Sequence, residues 1–238
     1  MRSSIHKRIV SFLLACCSVF TVAASTISAA AAVGAEGPNV TSVPSQITLA
    51  IADSYTVSET SVAVNWVTNP DVENSQVIYS RNEDLSNGTT VNAEMLSVDS
   101  YEDTVRAIHA FCAVMDNLIP GETYYYAVGN ETDGYSSVAP FTAPEVSEDK
   151  EPFSFLISAD TQGEDAASYR NTEVLYDYLA EKESDSAFLI HTGDVVEDAN
   201  ISDEWYYFFD AADDLRSRMS LITIGRWMPL PGQKKAAI

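Results

Sequence analysis

Two aspartates close two apolar runs of the chain: Asp160 ends the run that begins at Phe153, and Asp194 ends the run that begins at Phe188. Carboxylates are hard oxygen donors, and two brought into one small volume repel each other unless a cation lies between them. A divalent metal pair, typically about 3.5–4 Å apart, is the natural occupant. Asp194 is suited to bridge both ions and Asp160 to hold one. Either residue alone reads as an ordinary turn residue or helix cap; together, on successive runs, they point to a metal site.

That chemistry requires the two runs to be neighbouring strands. Phe153 to Ser158 reads as an unbroken apolar strand of the kind buried on both faces of a parallel sheet. Ser168 to Lys182 reads as a helix capped by Ser168, with Val174, Leu175, Tyr178 and Leu179 as its apolar stripe. A second strand follows from Ala187 to His191. A second helix runs from Ser202, its cap, to Arg218, with Asp203 and Glu204 in the first turn and Arg216 and Arg218 in the last. Leu221 to Ile224 is a third strand. This β-α-β-α-β order predicts a parallel, right-handed α/β unit. Ligands of open α/β sheets gather beyond the carboxyl ends of the strands. Adjacent strands lie ~4.8 Å apart, so both carboxylates reach the same volume. A sheet of three strands is also expected to leave an edge and apolar faces uncovered.

Upstream the period changes. From about Gln46 to Phe141, short β runs alternate with turn signals such as Asn69-Pro70 and Asn87-Gly88. Ser61 to Val67 and Ser75 to Tyr79 alternate at period two, and further runs occur at 104–115, 123–128 and 136–142. The pattern is that of a β-sandwich. Pro120-Gly121 followed by Tyr124 fits a tyrosine corner, and Trp66 fits a core tryptophan; both resemble the fibronectin type III pattern, although any sandwich with a Pro-Gly turn remains an alternative. Pro140, Pro144 and the acids from Glu145 to Glu151 mark a linker, and the sandwich is expected to fold alone.

The amino-terminal end reads as a targeting segment. Arg2, Lys7 and Arg8 precede an apolar run from Ile9 to Ala24, and small residues follow to Ala35. The run is short for a bilayer span, so export rather than stable membrane anchoring is expected; a lipobox-like stretch ending at Cys16 keeps lipid tethering open. Removing the segment leaves Cys112 as the sole cysteine, which excludes an intrachain disulfide. The 238 residues carry a formal net charge of −22, which repels nucleic acid and excludes a basic phosphate-tracking groove.

With these residues in place, the chain resembles the amino-terminal portion of a purple acid phosphatase-like, or calcineurin-like, metallophosphoesterase. The resemblance rests on Trp66-Val67, Val77 to Tyr79, Leu118 to Tyr126, the motif from Asp160 to Gly163, Gly193-Asp194, and Trp205 with Phe208-Phe209. It implies a signal peptide at 1–35, a fibronectin type III-like purple acid phosphatase N-terminal domain at 40–146, and part of a metallophosphoesterase domain at 150–238. It implies two metal ions drawn from Fe, Zn, Mn or Mg, with Asp160 on the first and Asp194 between them. Gln162 stands where many members have a metal-binding His and purple acid phosphatases have Gly; it either offers a weak oxygen ligand or bonds a metal-bound water. Glu197 stands where the purple enzymes place a metal-binding Tyr, against an iron–tyrosinate chromophore. The implied substrate is a phosphoester, small molecule or phosphoprotein, attacked in line by a metal-activated hydroxide.

The resemblance fails after the third strand. A Gly-Asn-His motif belongs there, but Gly225 leads into Arg226-Trp227-Met228-Pro229, and no acid occurs from Gly225 onward. The change is that of a frame break or early stop, or of a genuinely divergent tail. Outside the targeting segment the histidines are His109, expected as a half-exposed strand residue, and His191, expected to pack or bond backbone rather than to bind metal. The expected function is thus a secreted phosphoester hydrolase by family, truncated and inactive in this chain. The alternative is a secreted, non-catalytic fibronectin-like binding module with a vestigial α/β segment.

Overall fold

Alternating β-branched and aromatic residues build the first half of the molecule. The computed structural model describes residues 40–52, 60–100, 104–145 and 153–223. The expected signal segment at 1–35, the linker beyond Glu145 as far as residue 152, and the tail around Gly225 lie outside the described residues.

The first sheet has four strands, β1 (Ser45–Ile51), β2 (Val62–Thr68), β5 (Glu94–Val98) and β6 (Ile108–Met115), in the order β1-β2-β6-β5. The second holds β3 (Gln76–Ser80), β4 (Thr89–Asn92), β7 (Thr123–Asn130), β8 (Gly134–Tyr135) and β9 (Ala139–Thr142), in the order β4-β3-β7-β8, with β9 also paired to β7. Their inward residues form one core that includes Leu49, Trp66, Val77, Phe111, Met115, Tyr126 and Val128. Both sandwich hallmarks are present. Trp66 stacks on Phe111 with centroids 5.7 Å apart, and its indole N–H donates to Ser75 Oγ at 3.0 Å. The Tyr124 hydroxyl accepts the Ile119 N–H at 3.0 Å and so closes the tyrosine corner.

The second half is a parallel sheet in the order β10 (Leu156–Ser158), β11 (Phe188–His191), β12 (Ser220–Thr223), linked by α1 (Arg170–Lys182), α2 (Ser202–Ala211) and α3 (Asp213–Arg216). The β-α-β-α-β order is as expected, and the chain is a β-sandwich followed by a partial α/β unit. Leu189, Tyr169, Tyr176, Phe208, Leu215 and Met219 make its core. The two halves meet where β1 packs against β12 and α3.

Four local expectations need correction. β10 is only three residues long and is not buried on both faces: Phe153 and Ile157 are 69 % and 63 % exposed. Only one face of this sheet is covered by the helices. The face of α1 that turns inward carries Thr172, Tyr176 and Ala180, not Val174, Leu175 and Tyr178, which are exposed. Tyr176 wins because its hydroxyl finds Ser158 Oγ at 2.6 Å, while Thr172 and Ala180 are small enough for close approach to the sheet. Neither helix has its expected serine cap. Ser168 instead bonds the Asp165 carboxylate, and Ser202 lies inside α2, where its Oγ accepts the Arg106 N–H at 3.2 Å. The second helix also breaks at Ala212, so that Arg216 turns inward instead of facing solvent.

Candidate active site

Parallel pairing places Ser158 beside His191 at the ends of β10 and β11. The pairing continues into the loops. Thr192 N–H donates to Ser158 O at 2.9 Å and Asp160 N–H to Gly193 O at 3.2 Å, while the amides of Thr161 and Gln162 both reach Asp194 O, at 3.0 and 3.1 Å. The loop carrying Asp160 is thereby zipped to the loop carrying Asp194. Both aspartates adopt left-handed backbone, with φ of 58° and 52°, and Gly193 between the strand and Asp194 has φ 132°. Such a conformation costs an L-residue about 1–2 kcal/mol. Aspartate tolerates it better than most side chains, and the four backbone bonds hold it in place. Both side chains are exposed to solvent.

Beneath the loops lies a polar relay. Gly193 N–H approaches His191 Nδ1 at 3.4 Å, which puts the ring proton on Nε2, 2.9 Å from Thr161 Oγ1. Thr161 Oγ1 donates on to Val195 O at 3.1 Å, and Tyr169 Oη donates to the same carbonyl at 3.2 Å. Phe208 sets its ring edge-on to the imidazole, with centroids 5.6 Å apart. Burial holds His191 below the usual histidine range, although Asp160 and Asp194 pull the other way. It also pushes the Tyr169 phenol up to about 12. His191 is therefore a neutral, saturated core residue, as expected from its place inside a strand.

Gln162 is half-buried, and its Oε1 is buried without a hydrogen-bond partner. A buried amide oxygen left unpaired costs about 1–3 kcal/mol, which makes it an acceptor in want of a partner. Glu197 and Asp198 are exposed, and Asp198 spends one oxygen on the Asn200 amide at 2.9 Å. The donor set of two carboxylates and one amide oxygen is hard and suits Mg²⁺, Mn²⁺ or Ca²⁺. Among the described residues, however, no three of the types His, Cys, Asp and Glu gather as a metal group. Two carboxylates and one amide oxygen fall short of the donors that a closed metal pair needs.

Sequence reasoning missed Thr161, Tyr169 and Glu204. Glu204 is buried and accepts the Asp198 N–H at 2.7 Å, securing the far end of the Asp194 loop. Its signal was legible: an acid at the third position of a helix commonly reaches back to the residues before it.

Residues 44–143 match the family model described as purple acid phosphatase, N-terminal domain. The match covers the β-sandwich. Among solved structures, the purple acid phosphatase PPD1 from yellow lupin (Lupinus luteus) seeds superposes with a TM-score of 0.60 at 18 % identity, over 80 % of this chain. That likeness shows the fold, and it spans 36 % of the lupin chain. The sensor domain of the anti-sigma factor RsgI4 of Pseudobacteroides cellulosolvens matches over 43 % of this chain and 98 % of its own at 18 % identity; its TM-score of 0.26 carries no argument. No curated protein matches the sequence.

Proposed function

We propose that the chain is the sandwich and first metal-binding portion of a secreted, metal-dependent phosphoester hydrolase. One observation carries the reading: two aspartates in the loops that follow adjacent parallel strands, both in left-handed backbone and joined by main-chain bonds between those loops. Strain of this kind clusters at functional sites. Asp160 would hold one cation and Asp194 would bridge two, with Gln162 Oε1 as an accessory oxygen donor. Cations bound there would supply charge neutralisation for attack of water on a phosphoester, of a small molecule or a phosphoprotein. The residues of this chain would fix those oxygens and, through the His191–Thr161–Val195 relay, keep the loops from shifting.

By the same donor count, no turnover is expected of the 238-residue chain acting alone: among the described residues, two carboxylates do not close a two-metal centre. The basic and then apolar start of the chain supports export to the extracellular space. Among the described residues no helix is long and apolar enough to cross a membrane. The second reading, a secreted non-catalytic binding module, is favoured by the same short donor set.

Mn²⁺ titration and p-nitrophenyl phosphate turnover test these readings on the 238-residue chain. Weak Mn²⁺ binding that is lost in Asp160→Asn and Asp194→Asn, without turnover, is the expected result. Binding that survives both substitutions would overturn the metal assignment, and turnover would overturn the inactivity. Absence of binding in the unsubstituted chain would leave the binding-module reading.

A further inference from the structure

The Asp194 loop is anchored at two ends. Its near end is the backbone zipper to the Asp160 loop. Its far end is held by the first turn of α2. There Glu204, 2 % exposed, accepts the Asp198 amide at 2.7 Å, and Trp205 Nε1 donates to Ala199 O at 3.0 Å. Wherever that first turn goes, residues 197–199 must follow.

The first turn is in turn fastened to the sandwich domain. Ser202 N–H donates to Thr104 O at 3.0 Å, and Arg106 N–H donates back to Ser202 Oγ at 3.2 Å. The Arg106 guanidinium pairs with Asp203 Oδ1 at 2.6 Å, both side chains being about one-third exposed or less, at 31 % and 27 %. The same guanidinium lies over the Tyr206 ring, 5.7 Å from its centroid. A planar cation held at once by a carboxylate and an aromatic face has a defined position, unlike a solvated surface pair.

We infer that Arg106, a residue of the sandwich domain, is a positioning residue for the metal-binding loop of Asp194, acting through Asp203 and the first turn of α2. The chain of contacts runs from Arg106 to Asp203, along the backbone to its neighbour Glu204, and from Glu204 to the backbone of Asp198. A non-glycine residue in left-handed backbone keeps that conformation only while its surroundings over-determine it. Releasing the far end leaves Asp194 held from one side. The sandwich is thus part of the site's scaffold and not a detachable module. The metal part of this inference rests on the proposed role of Asp194; the mechanical part does not.

The test uses Arg106→Ala, Arg106→Lys and Asp203→Asn in the 238-residue chain, with two readouts. Amide hydrogen exchange reports the loop at 195–201 against α1 as an internal reference. Mn²⁺ titration reports the site. In Arg106→Ala, exchange rises at 195–201 and stays unchanged in α1, and Mn²⁺ affinity falls by about tenfold, the lower range for loss of a residue that orients a metal ligand. Arg106→Lys restores part of both. Asp203→Asn reproduces the loop effect and serves if Arg106→Ala fails to fold. Unchanged loop exchange, or a rise shared equally by α1, overturns the inference. If the unsubstituted chain takes up no Mn²⁺, the metal reading of Asp194 fails, and the exchange pattern alone decides whether Arg106 positions the loop.

Discussion

Arg216 donates from Nη1 to the main-chain carbonyl of Ile47, across the junction between the α/β unit and the sandwich. Its side chain is 3 % exposed. Nε donates to Phe209 O at 2.8 Å, Nη2 pairs with the Asp213 carboxylate, and the guanidinium lies 5.6 Å over the Phe209 ring. Next to it, Tyr126 Oη donates to Ser217 O at 2.9 Å, again from one half of the molecule to the other. A buried cation is tolerated only because its donors are spent on these acceptors.

Arg216→Ala leaves the Ile47 and Phe209 carbonyls unpaired in the junction. Its expected cost is about 2–6 kcal/mol, from two carbonyls left unpaired at about 1–3 kcal/mol each, since Asp213 itself stays solvated. Arg216→Lys recovers little, because an ammonium cannot span three acceptors in a plane. Urea unfolding followed by tryptophan fluorescence measures both. An Arg216→Ala cost below about 1 kcal/mol, the worth of an ordinary hydrogen bond, would show that the junction is not held by this residue.

Acid sensitivity has two opposed sources. Burial keeps the His191 imidazole neutral to lower pH in the folded chain than in the unfolded chain, which takes up a proton as the pH falls through about 6.5. Stability from this group is therefore complete above that pH and is lost below it. Glu204 works the other way. Burial raises its carboxyl above the ordinary glutamate value, so the folded chain keeps a proton the unfolded chain has released, and its contribution is lost as the pH rises through that window. His191→Gln removes the first slope and leaves the second. Melting temperatures from pH 7 to pH 5 should fall more steeply in the unsubstituted chain than in His191→Gln. Parallel curves would mean that His191 is not held neutral.

Much of this fold is legible in the sequence, and the reasons for the rest are physical. Trp66, Pro120-Gly121 and Tyr124 mark the sandwich because their roles are local: a core ring, a turn and a hydroxyl returning over five residues. Strands β4 and β5 give no separate signal, since their residues are largely exposed and the chain passes between sheets at Ala93. The apolar stripe of α1 misleads because apolarity cannot reveal that Tyr176 has a partner in Ser158 from a distant strand. Arg216 reads as a helix-terminal charge for the same reason: its acceptors come from Ile47 and Phe209. Asp160 and Asp194 are legible as strand-end residues, but their left-handed backbone is not, because it depends on bonds between two loops.

That backbone separates the roles of side chain and conformation at Asp194. Asparagine tolerates the left-handed region as aspartate does, so Asp194→Asn should retain native stability while losing Mn²⁺. Alanine pays the full steric cost, and glycine escapes it but gains unfolded-state freedom. Asp194→Gly should therefore be more stable than Asp194→Ala by about 1 kcal/mol. Denaturant midpoints of the three variants, with Mn²⁺ titration of each, make the comparison. Equal stability of the glycine and alanine variants would argue that the φ of 52° is not retained in solution.

Gly163 tests how tightly the Asp160 loop is packed. A Cβ at this position would lie 2.5 Å from Ser168 Cβ and 3.3 Å from Tyr169 Cε2. Gly163→Ala must push the turn before α1 outward, at an expected cost of about 1–3 kcal/mol for an overpacked site. The strain does not stop there, since Tyr169 also holds the Val195 carbonyl at 3.2 Å, one residue beyond Asp194. Ser168→Gly removes the nearer obstruction and loses only an exposed hydroxyl bond to Asp165. The double variant should recover most of the stability lost in Gly163→Ala. Recovery of stability without recovery of Mn²⁺ affinity would show that the Tyr169 ring, not Ser168, transmits the displacement to the Asp194 loop. No recovery of either would locate the limiting contact at Tyr169 itself.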